Sequence, residues 1–479
     1  MGIVYGNIFI KNGVLKGLQE QKSWKIDLIY INLRRKTKTL TKTIMKEEYD
    51  IIALEVASSK VIGLAGVKQR DGKIRVTAHV QQSAATFIRK GIIYNADLAA
   101  ACIQNIILKL KEALQKEITQ VYVCYSGQGL HSVPNEVKRH FDSEHKIVKD
   151  DIDSIYDENV SQEYEGRSIL EVVPQEFSAD THKFLEPVGV FCSNVTGRFL
   201  NITAKKKLMD FMENCFKTVG VRVAEYRLTP LVVADQLLNE AQKNSGCVLV
   251  DIGADTTTVS VYKSKLLRFL SVIPLGSDNI TKDIMTLQME HEDAEELKMS
   301  KFGEPYASFS EEEGEAVIKT TADGIAIQRK TLSNVIDARL TEILMNVKQQ
   351  INESKYARES LIAGAFLTGG GANMPNIANV FKEVVGIDKV TVRKTSQSAD
   401  YILPGSLKNY EGKYLAALGL IANADQNCTA EMVNRPKEIF EEPQKENETP
   451  DNELREEPRK KRGPWWTETW NKINKYMNE

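Results

Sequence analysis

Two segments of this sequence share one arrangement of residue types. In each, an apolar stretch that predicts a strand leads through one acidic residue, Glu55 or Asp251, into a turn of small and hydroxyl residues and then into a second predicted strand. A turn of this kind lets backbone N–H groups approach a phosphate closely and point at it. One such hairpin in each half of the chain predicts a clamp on the phosphates of a nucleotide. The turn residues are Ala57, Ser58, Ser59 and Lys60 in the first hairpin, and Gly253, Ala254, Asp255, Thr256 and Thr257 in the second.

The acidic residue that precedes each turn predicts a place for a metal ion. Mg²⁺ takes oxygen ligands and gives up its water reluctantly, so carboxylates near bound phosphates often hold it through water. Glu55 and Asp251 are the candidates for this role. The alternative is a pair of ordinary hairpins, because strand–turn–strand segments with Gly and Thr are common.

A third segment favours nucleotide binding over that alternative. Residues 366–375 contain an apolar run, the glycines Gly369, Gly370 and Gly371, and then a predicted helix start. Consecutive glycines suit a place where a flat ring or a sugar lies against the backbone. Two hairpins followed by a triple glycine, in that order, are more specific than any one of them.

The order of these segments resembles the actin, Hsp70 and sugar-kinase superfamily and, within it, the FtsA family of bacterial cell-division proteins. The resemblance covers residues 45–423 and so most of the chain. It implies an α/β protein with the actin-like two-lobed ATPase fold and an FtsA-type inserted subdomain. The other segments that carry it are VPQEF at 173–177, residues 244–253, DAEELK at 293–298 and residues 414–420.

The chain divides into several predicted regions. Alternating strand and helix patterns, with a helix at 96–115 and a strand at 120–125, predict an α/β half-domain at the start of the resemblance. By resemblance the next region is the inserted subdomain, where the sequence predicts an acidic helix start at 150–159 and strands near 169–177 and 199–203. The boundaries are 45–128 with 204–239 for the first half-domain, 129–203 for the inserted subdomain, 240–275 with 358–425 for the second half-domain, and 276–357 for its satellite, with helices at 326–354.

Composition excludes several function classes. The chain of 479 residues has 63 Lys and Arg against 65 Asp and Glu, a net charge of −2, which argues against general nucleic-acid binding. Its six cysteines form no C-x-x-C pair and predict reduced thiols of a cytoplasmic protein. Residues 1–44 are basic and lack the pattern of a secretory signal. We expect them to be a mobile extension or the product of an upstream start codon.

The end of the sequence predicts a membrane-binding segment. Residues 426–462 are rich in acidic residues and proline and predict a disordered linker, which ends in four basic residues. Residues 463–479 predict an amphipathic helix with an aromatic face, which suits the headgroup boundary of an anionic membrane. A helix that packs on the protein's own body or on a partner is the alternative, but the long linker and the resemblance both favour the membrane. The apolar face comprises Trp465, Trp466, Trp470, Ile473 and Met477.

The resemblance implies ATP with Mg²⁺ as ligands, self-assembly into protofilaments, and anchoring of the FtsZ ring to the cytoplasmic face of the membrane at the septum, alongside other division proteins. It assigns the acidic FtsZ tail to the satellite, with Arg329 and Arg339 as candidate contacts. A solvated helix lysine is the alternative for one assigned residue, Lys298. The residues assigned to the adenosine are Gly369, Gly370, Gly371 and Asn373, and those that flank the ribose or adenine are Glu295 and Lys298.

The turns depart from the family pattern at two places. Ala57 stands where the family usually has glycine, and Ala254 and Asp255 stand where it usually has two glycines. A carboxylate at residue 255 would lie near the γ-phosphate and either join the Mg²⁺ shell or repel the phosphate. We therefore expect slow or negligible ATP hydrolysis, with ATP as a conformational ligand and no assigned catalytic residue. Alternatives are a pilus-assembly or rod-shape actin homologue, or a soluble sugar- or acetate-type kinase that would leave the terminal helix unexplained.

Overall fold

The structure is a computed structural model that describes residues 49–431, apart from residues 70, 322, 397–400 and 408–410. The described residues outside 69–72 form one structural unit. Three predicted features lie outside the described residues: the extension at 1–44, the linker beyond residue 431, and the terminal helix with Trp465, Trp466, Trp470, Ile473 and Met477.

Strands and helices alternate along much of the described chain, as in an α/β protein. The strands are β1 Asp50–Val56, β2 Lys60–Lys68, β3 Ile74–Ser83, β4 Ile88–Arg89, β5 Ile92–Ile93, β6 Lys116–Ile118, β7 Gln120–Tyr125, β8 His131–Lys146, β9 Arg167–Ala179, β10 His182–Phe184, β11 Phe191–Lys205, β12 Arg222–Leu228, β13 Cys247–Ile252, β14 Thr257–Lys263, β15 Leu266–Ile273, β16 Val317–Thr320, β17 Ala326–Gln328, β18 Gly364–Thr368, β19 Val390–Val392, β20 Tyr401–Ile402 and β21 Thr429–Glu431. The helices are α1 Ala96–Leu114, α2 Lys149–Val160, α3 Lys206–Val219, α4 Thr229–Leu237, α5 Glu240–Ser245, α6 Ser277–Met285, α7 His291–Met299, α8 Glu311–Glu315, α9 Arg329–Glu353, α10 Ile377–Val385 and α11 Leu415–Asn423.

The first lobe is built on a sheet with the strand order β12-β7-β1-β2-β3-β20. β1 and β2 form an antiparallel hairpin, whereas β1 and β7 run parallel. Helix α1 packs on β2 and β3, and helix α11 packs on β1 and β2. The hairpin strands are therefore buried along almost their whole length, and apart from Glu55 their residues between the strand ends are apolar or glycine.

The second lobe repeats this arrangement. β13 and β14 form an antiparallel hairpin, and β13 runs parallel to β18. These strands belong to a sheet with the order β10-β9-β11-β8-β15-β14-β13-β18-β19. The strands of the inserted subdomain join this sheet through a single pair, Ser271 of β15 with His131 of β8.

The inserted subdomain is an antiparallel sheet of β8 to β11 that carries helix α2. Its own core includes Ile155, Phe177 and Phe199. The sequence analysis found α2 and parts of β9 and β11 but missed β8, a strand of 16 residues. The outer half of β8 is mostly charged and exposed, so it has no apolar alternation from which a strand could be predicted.

The VPQEF segment ties the inserted subdomain to the second lobe. The Nε2 of Gln175 donates to the carbonyl oxygen of Leu267 at 3.0 Å, and its Oε1 accepts from Nη1 of Arg268 at 2.9 Å. Leu267 and Arg268 lie on β15, next to the second hairpin in the sheet. One amide side chain of the inserted subdomain thus satisfies two polar groups of the second lobe.

Two predictions from the sequence were wrong at this level. The disordered linker was predicted to start at residue 426, but Thr429–Glu431 pairs with Lys116–Ile118, and the N–H of Cys428 donates to the carbonyl of Asp50 at 2.8 Å. A short polar strand of this kind forms because a neighbouring strand is available for pairing. Its own sequence has no residue pattern that predicts a strand. Within 326–354, the structure has strand β17 followed by one helix of 25 residues, α9.

The hydroxyl of Tyr122 attaches the end of the described chain to the first sheet. It donates to Oδ1 of Asp425 at 2.9 Å and accepts the N–H groups of Asp425 at 3.2 Å and Gln426 at 3.1 Å. We expect Tyr122→Phe to lower the free energy of unfolding by about 1–3 kcal/mol, because two backbone donors lose their acceptor. Urea denaturation measures this. The matched control is Tyr94→Phe, whose ring is 68% exposed, and an equal effect of both changes would contradict the prediction.

Candidate functional site

The first predicted turn is closed by its own backbone and held by a second loop of the same lobe. The N–H of Ala57 donates to the carbonyl of Lys60 at 3.1 Å. Ser58 is only 8% exposed, and its Oγ accepts the N–H of Gly91 at 2.8 Å, while Ser59 is exposed. The sequence analysis missed the Lys90–Gly91 loop. Its one signal is the glycine, which has φ +76° and lies so close to the backbone after β7 that a Cβ would clash.

The second predicted turn lies on the start of helix α6. The N–H of Gly253 donates to the carbonyl of Thr256 at 2.9 Å. The carbonyls of Gly253 and Ala254 accept the N–H groups of Ser277 at 2.9 Å and Asp278 at 2.8 Å. Thr257 begins β14 with a fully buried side chain, and its Oγ1 donates to the carbonyl of Leu275 at 2.9 Å. The hydroxyl of Thr257 therefore faces the interior and not the surface of the turn.

The triple glycine packs against the second hairpin because β18 runs parallel to β13 and both strands end at the same edge. A Cβ on Gly369 would lie 2.3 Å from Oδ1 of Asp251, and a Cβ on Gly371 would lie 2.4 Å from Cγ2 of Ile252. Gly370 differs, because a Cβ there would have no neighbour within 4 Å. The exposed Asn373 donates from Nδ2 to the carbonyl of Gly370 at 3.2 Å. Close packing therefore requires glycine at residues 369 and 371, whereas the backbone of Gly370 has free space beside it.

The two hairpins meet through the loop at Lys90 and Gly91. The N–H of Gly91 reaches Ser58 of the first turn, and the adjacent N–H of Lys90 donates to Oδ2 of Asp255 in the second turn at 3.1 Å. Lys282 of α6 lies 3.7 Å from Oδ1 of the same carboxylate. The structure therefore brings together the two turns that lie about two hundred residues apart in the sequence.

The two acidic residues behind the turns are half-buried, and both have a raised pKa. Burial raises the pKa of Glu55 from 4.5 to about 7, with Lys60 opposing the shift and Asp251 adding to it. Burial also raises the pKa of Asp251 from 3.8 to about 6. The Oε2 atom of Glu55 is buried and makes no hydrogen bond within the described part of the chain. Burial lowers the pKa of the neighbouring Lys60, and the Glu55 carboxylate opposes that shift.

These carboxylates fit a cation that is held mainly by water and phosphate. Across residues 49–431, with the gaps noted above, no group of three or more His, Cys, Asp or Glu side chains is placed to hold a metal ion. Two carboxylates alone are too few for a dedicated protein site, but they match the way Mg²⁺ is bound beside substrate phosphates. An unpartnered buried carboxylate oxygen on Glu55 is the group that such an ion or its water would satisfy.

Lys298 is buried behind the second turn and pairs there with the half-exposed Glu295. Lys298 is 1% exposed, and its Nζ donates to the carbonyl of Ser277 at 3.2 Å, to Oγ1 of Thr281 at 2.8 Å and to Oε2 of Glu295 at 2.5 Å. The alternative of a solvated helix lysine is wrong. All three ammonium protons have protein acceptors, so Lys298 stabilises α6 under the turn and has no further donor for a sugar or base.

The two arginines proposed as partner contacts are already engaged within the protein. Arg339 pairs with Asp283 through Nε at 2.5 Å and Nη2 at 3.1 Å, and it also pairs with Glu342. The contact with Asp283 joins α9 to α6, whereas Glu342 lies on α9 itself. The guanidinium of Arg329 lies 4.8 Å from the centre of the Phe309 ring and is half-exposed. Of the two, Arg329 is the more accessible to a partner.

Paired hairpins with a parallel strand beside each define this chain as an actin-like protein. It is similar in fold to a solved structure described as "PilM-PilN type IV pilus biogenesis complex", with a TM-score of 0.53 and 14% identity over 77% of this chain and 97% of that one. The fold class predicted from the sequence is confirmed. In the described part of the chain, no helix is both long and apolar enough to cross a membrane.

Family models identify the family within this class of proteins. The model "Cell division protein FtsA" matches residues 248–419, and "SHS2 domain inserted in FTSA" matches residues 127–203. The chain is 27% identical to the cell division protein FtsA of Porphyromonas gingivalis, covering 84% of this chain and 83% of that one. It is 26% identical to FtsA of Escherichia coli, covering 68% and 80%. This chain belongs to the FtsA family of cell-division proteins, as the sequence analysis predicted, and not to the kinases.

The raised pKa of Glu55 predicts a pH-dependent stability. Because the folded protein holds the proton of Glu55 more tightly than the unfolded chain, the free energy of unfolding contributed by this group falls as the pH rises from about 4.5 to about 7 and is then constant. We expect Glu55→Gln to stabilise the protein by roughly 2 to 3 kcal/mol at pH 8 without nucleotide or Mg²⁺, and by much less at pH 5. Urea denaturation at both pH values measures this.

The control for this experiment is Glu112→Gln, which makes the same chemical change on the exposed face of α1. It should change stability by less than about 0.5 kcal/mol at either pH. A Glu55→Gln variant that is equally destabilised at pH 5 and pH 8 would show that the carboxylate is needed for folding and that its burial is not unfavourable.

Proposed function

We propose that this chain is an ATP-binding member of its family that assembles into protofilaments and holds the FtsZ ring at the cytoplasmic face of the membrane. The observation that carries the nucleotide part is the meeting of the two turns at Ser58, Lys90 and Asp255. A ligand that contacts both lobes would account for two distant hairpins whose turns are held by the same loop. Membership of the FtsA family supports the role in division.

The residues around the turns support a division of roles. Backbone N–H groups of the two turns would bind the phosphates, because small residues leave them accessible. Glu55 and Asp251 would hold Mg²⁺ through water, and the ion when bound would offset part of the phosphate charge. A second unpartnered buried oxygen, Oγ of Ser126, follows β7 beside the first hairpin and would serve the same polar ligand or its water.

Hydrolysis would be slow or absent, and binding itself would carry the function. A ligand shifts a conformational equilibrium only by its difference in affinity for the two states. A nucleotide held by both turns would favour the state in which the lobes are close. That state would be the one that self-assembles.

Gly370 allows a direct test of the adenosine position. Its backbone is helical, with φ −61° and ψ −41°, and a Cβ would have no neighbour within 4 Å, so Gly370→Ala should fold normally. If the adenosine lies against this backbone, the added methyl group should weaken ATP binding by at least about tenfold, or about 1.4 kcal/mol. Titration with a fluorescent ATP analogue in the presence of Mg²⁺ measures the dissociation constant.

The matched control is Gly405→Ala, because a Cβ at Gly405 also has no neighbour within 4 Å and that residue lies far from the triple glycine in sequence. It should leave the dissociation constant unchanged. Equal affinities of wild type and Gly370→Ala would remove the triple glycine from the nucleotide site. Wild-type protein that binds no ATP at all would refute the nucleotide proposal itself.

The terminal residues support the membrane part of the proposal by their spacing alone. Trp466 and Trp470 share the apolar face of the predicted helix, and four basic residues precede it, each adding on the order of 1 kcal/mol near an anionic surface. We expect the intact chain to pellet with phosphatidylglycerol-containing vesicles and to bring FtsZ with it. A chain truncated after Glu457 should leave both proteins in the supernatant.

Two point substitutions test whether the apolar face of the predicted helix, and not only the length of the terminal segment, binds the membrane. Trp470→Glu should abolish pelleting, whereas Asn471→Glu adds the same charge on the polar face and should reduce it only slightly. Pelleting of the truncated chain would show that the terminal segment is not the anchor. Pelleting of the intact chain without FtsZ would remove FtsZ as the partner and leave the membrane contact standing.

A further inference from the structure

Asp255 is an acidic residue at the centre of the second phosphate turn, where the family pattern has glycine. Its carboxylate is not solvated freely. Oδ2 accepts the backbone N–H of Lys90 from the other lobe at 3.1 Å, and Oδ1 lies 3.7 Å from Nζ of Lys282. Lys282 also pairs with Asp278 at 2.7 Å, so one ammonium serves two carboxylates.

If the two turns bind the phosphates as proposed, this arrangement places a negative charge beside the last phosphate of a nucleoside triphosphate. The carboxylate already occupies one inter-lobe N–H donor that a phosphate oxygen would otherwise use. Like charges at contact distance repel strongly in a partly buried site, where water screens them less. Lys282 compensates this charge only in part, because its closer partner is Asp278 and its side chain is 58% exposed.

We infer that Asp255 determines which nucleotide the site prefers: its carboxylate is a built-in anion that bridges the lobes, so the site binds ADP more tightly than ATP. ADP ends one phosphate earlier and leaves the bond between Lys90 and Asp255 intact. ATP must displace that bond or hold its γ-phosphate beside the carboxylate. The inference rests on the proposed nucleotide binding and specifies the selectivity of that same site.

The competing role for Asp255 is a place in the shell of Mg²⁺, which would favour ATP. The structure argues against it, because both carboxylate oxygens already have partners. Oδ2 accepts the backbone N–H of Lys90, and Oδ1 lies near the ammonium of Lys282. Glu55 and Asp251 are better placed for the ion, because Oε2 of Glu55 is buried without a hydrogen bond and burial raises the pKa of both carboxyl groups.

The test compares ADP and ATP affinities of the full chain with Mg²⁺ present, by titration with fluorescent analogues of both nucleotides. Wild type should bind ADP more tightly. Asp255→Asn keeps an oxygen acceptor for the N–H of Lys90 and removes the charge, and it should raise the affinity for ATP relative to ADP by about tenfold or more.

Lys282→Gln should act in the opposite direction, because Asp255 then loses its counter-ion. Asp157→Asn, an exposed carboxylate of α2, is the charge control and should change neither.

Each outcome is decisive. A lower affinity of Asp255→Asn for ATP would assign the carboxylate to the Mg²⁺ shell and overturn the inference, as would an unchanged ratio of the two affinities. If Asp255→Asn does not fold, the Lys282→Gln result decides, since a ratio unmoved by that change also overturns the inference. Wild type that binds neither nucleotide would instead refute the proposed function. The ratio of the two affinities tests only the inference about Asp255.

Discussion

The parallel pairing of one strand beside each hairpin is the constraint on which the rest of this structure depends. β1 with β7, and β13 with β18, end at the same edge of their sheets, so whatever follows each strand must lie beside a hairpin turn. This places the backbone after β7 next to the first turn and the triple glycine next to the second. The pairing is maintained by apolar strands buried on both faces, which cannot slip without exposing them.

The edge so formed brings several ionisable groups together in a partly buried place. It contains carboxylates with raised pKa values at Glu55 and Asp251, a lysine with a lowered pKa at Lys60, and the inter-lobe carboxylate of Asp255. Buried charges without full compensation cost stability, and such clusters are common at functional sites. Of these groups, Glu55 and Asp251 are the ones that the cation of a bound polyphosphate would engage.

The second lobe keeps its turn in place through helix α6. The N-terminus of α6 donates to the carbonyls of the turn, Lys298 and Glu295 brace it from behind, and Arg339 joins it to α9. The satellite region is thereby coupled to the turn by ion pairs, while Gln175 couples the inserted subdomain to the adjacent strand β15. A change in the position of the turn would be transmitted to both neighbouring regions through these contacts.

The sequence by itself determined the strand–turn–strand hairpins, the triple glycine and elements such as helix Ala96–Leu114 and strand Gln120–Tyr125, because local periodicity and small-residue turns record short-range constraints. It also determined the family, through the order of its motifs. Only the tertiary structure decided that Lys298 is buried, that Arg339 is paired, that Thr257 faces inward, that β8 and β21 are strands, and that Lys90 bridges to Asp255. Each of these depends on a partner far away in the chain, and a contact between distant residues leaves no periodic trace in the sequence around either one.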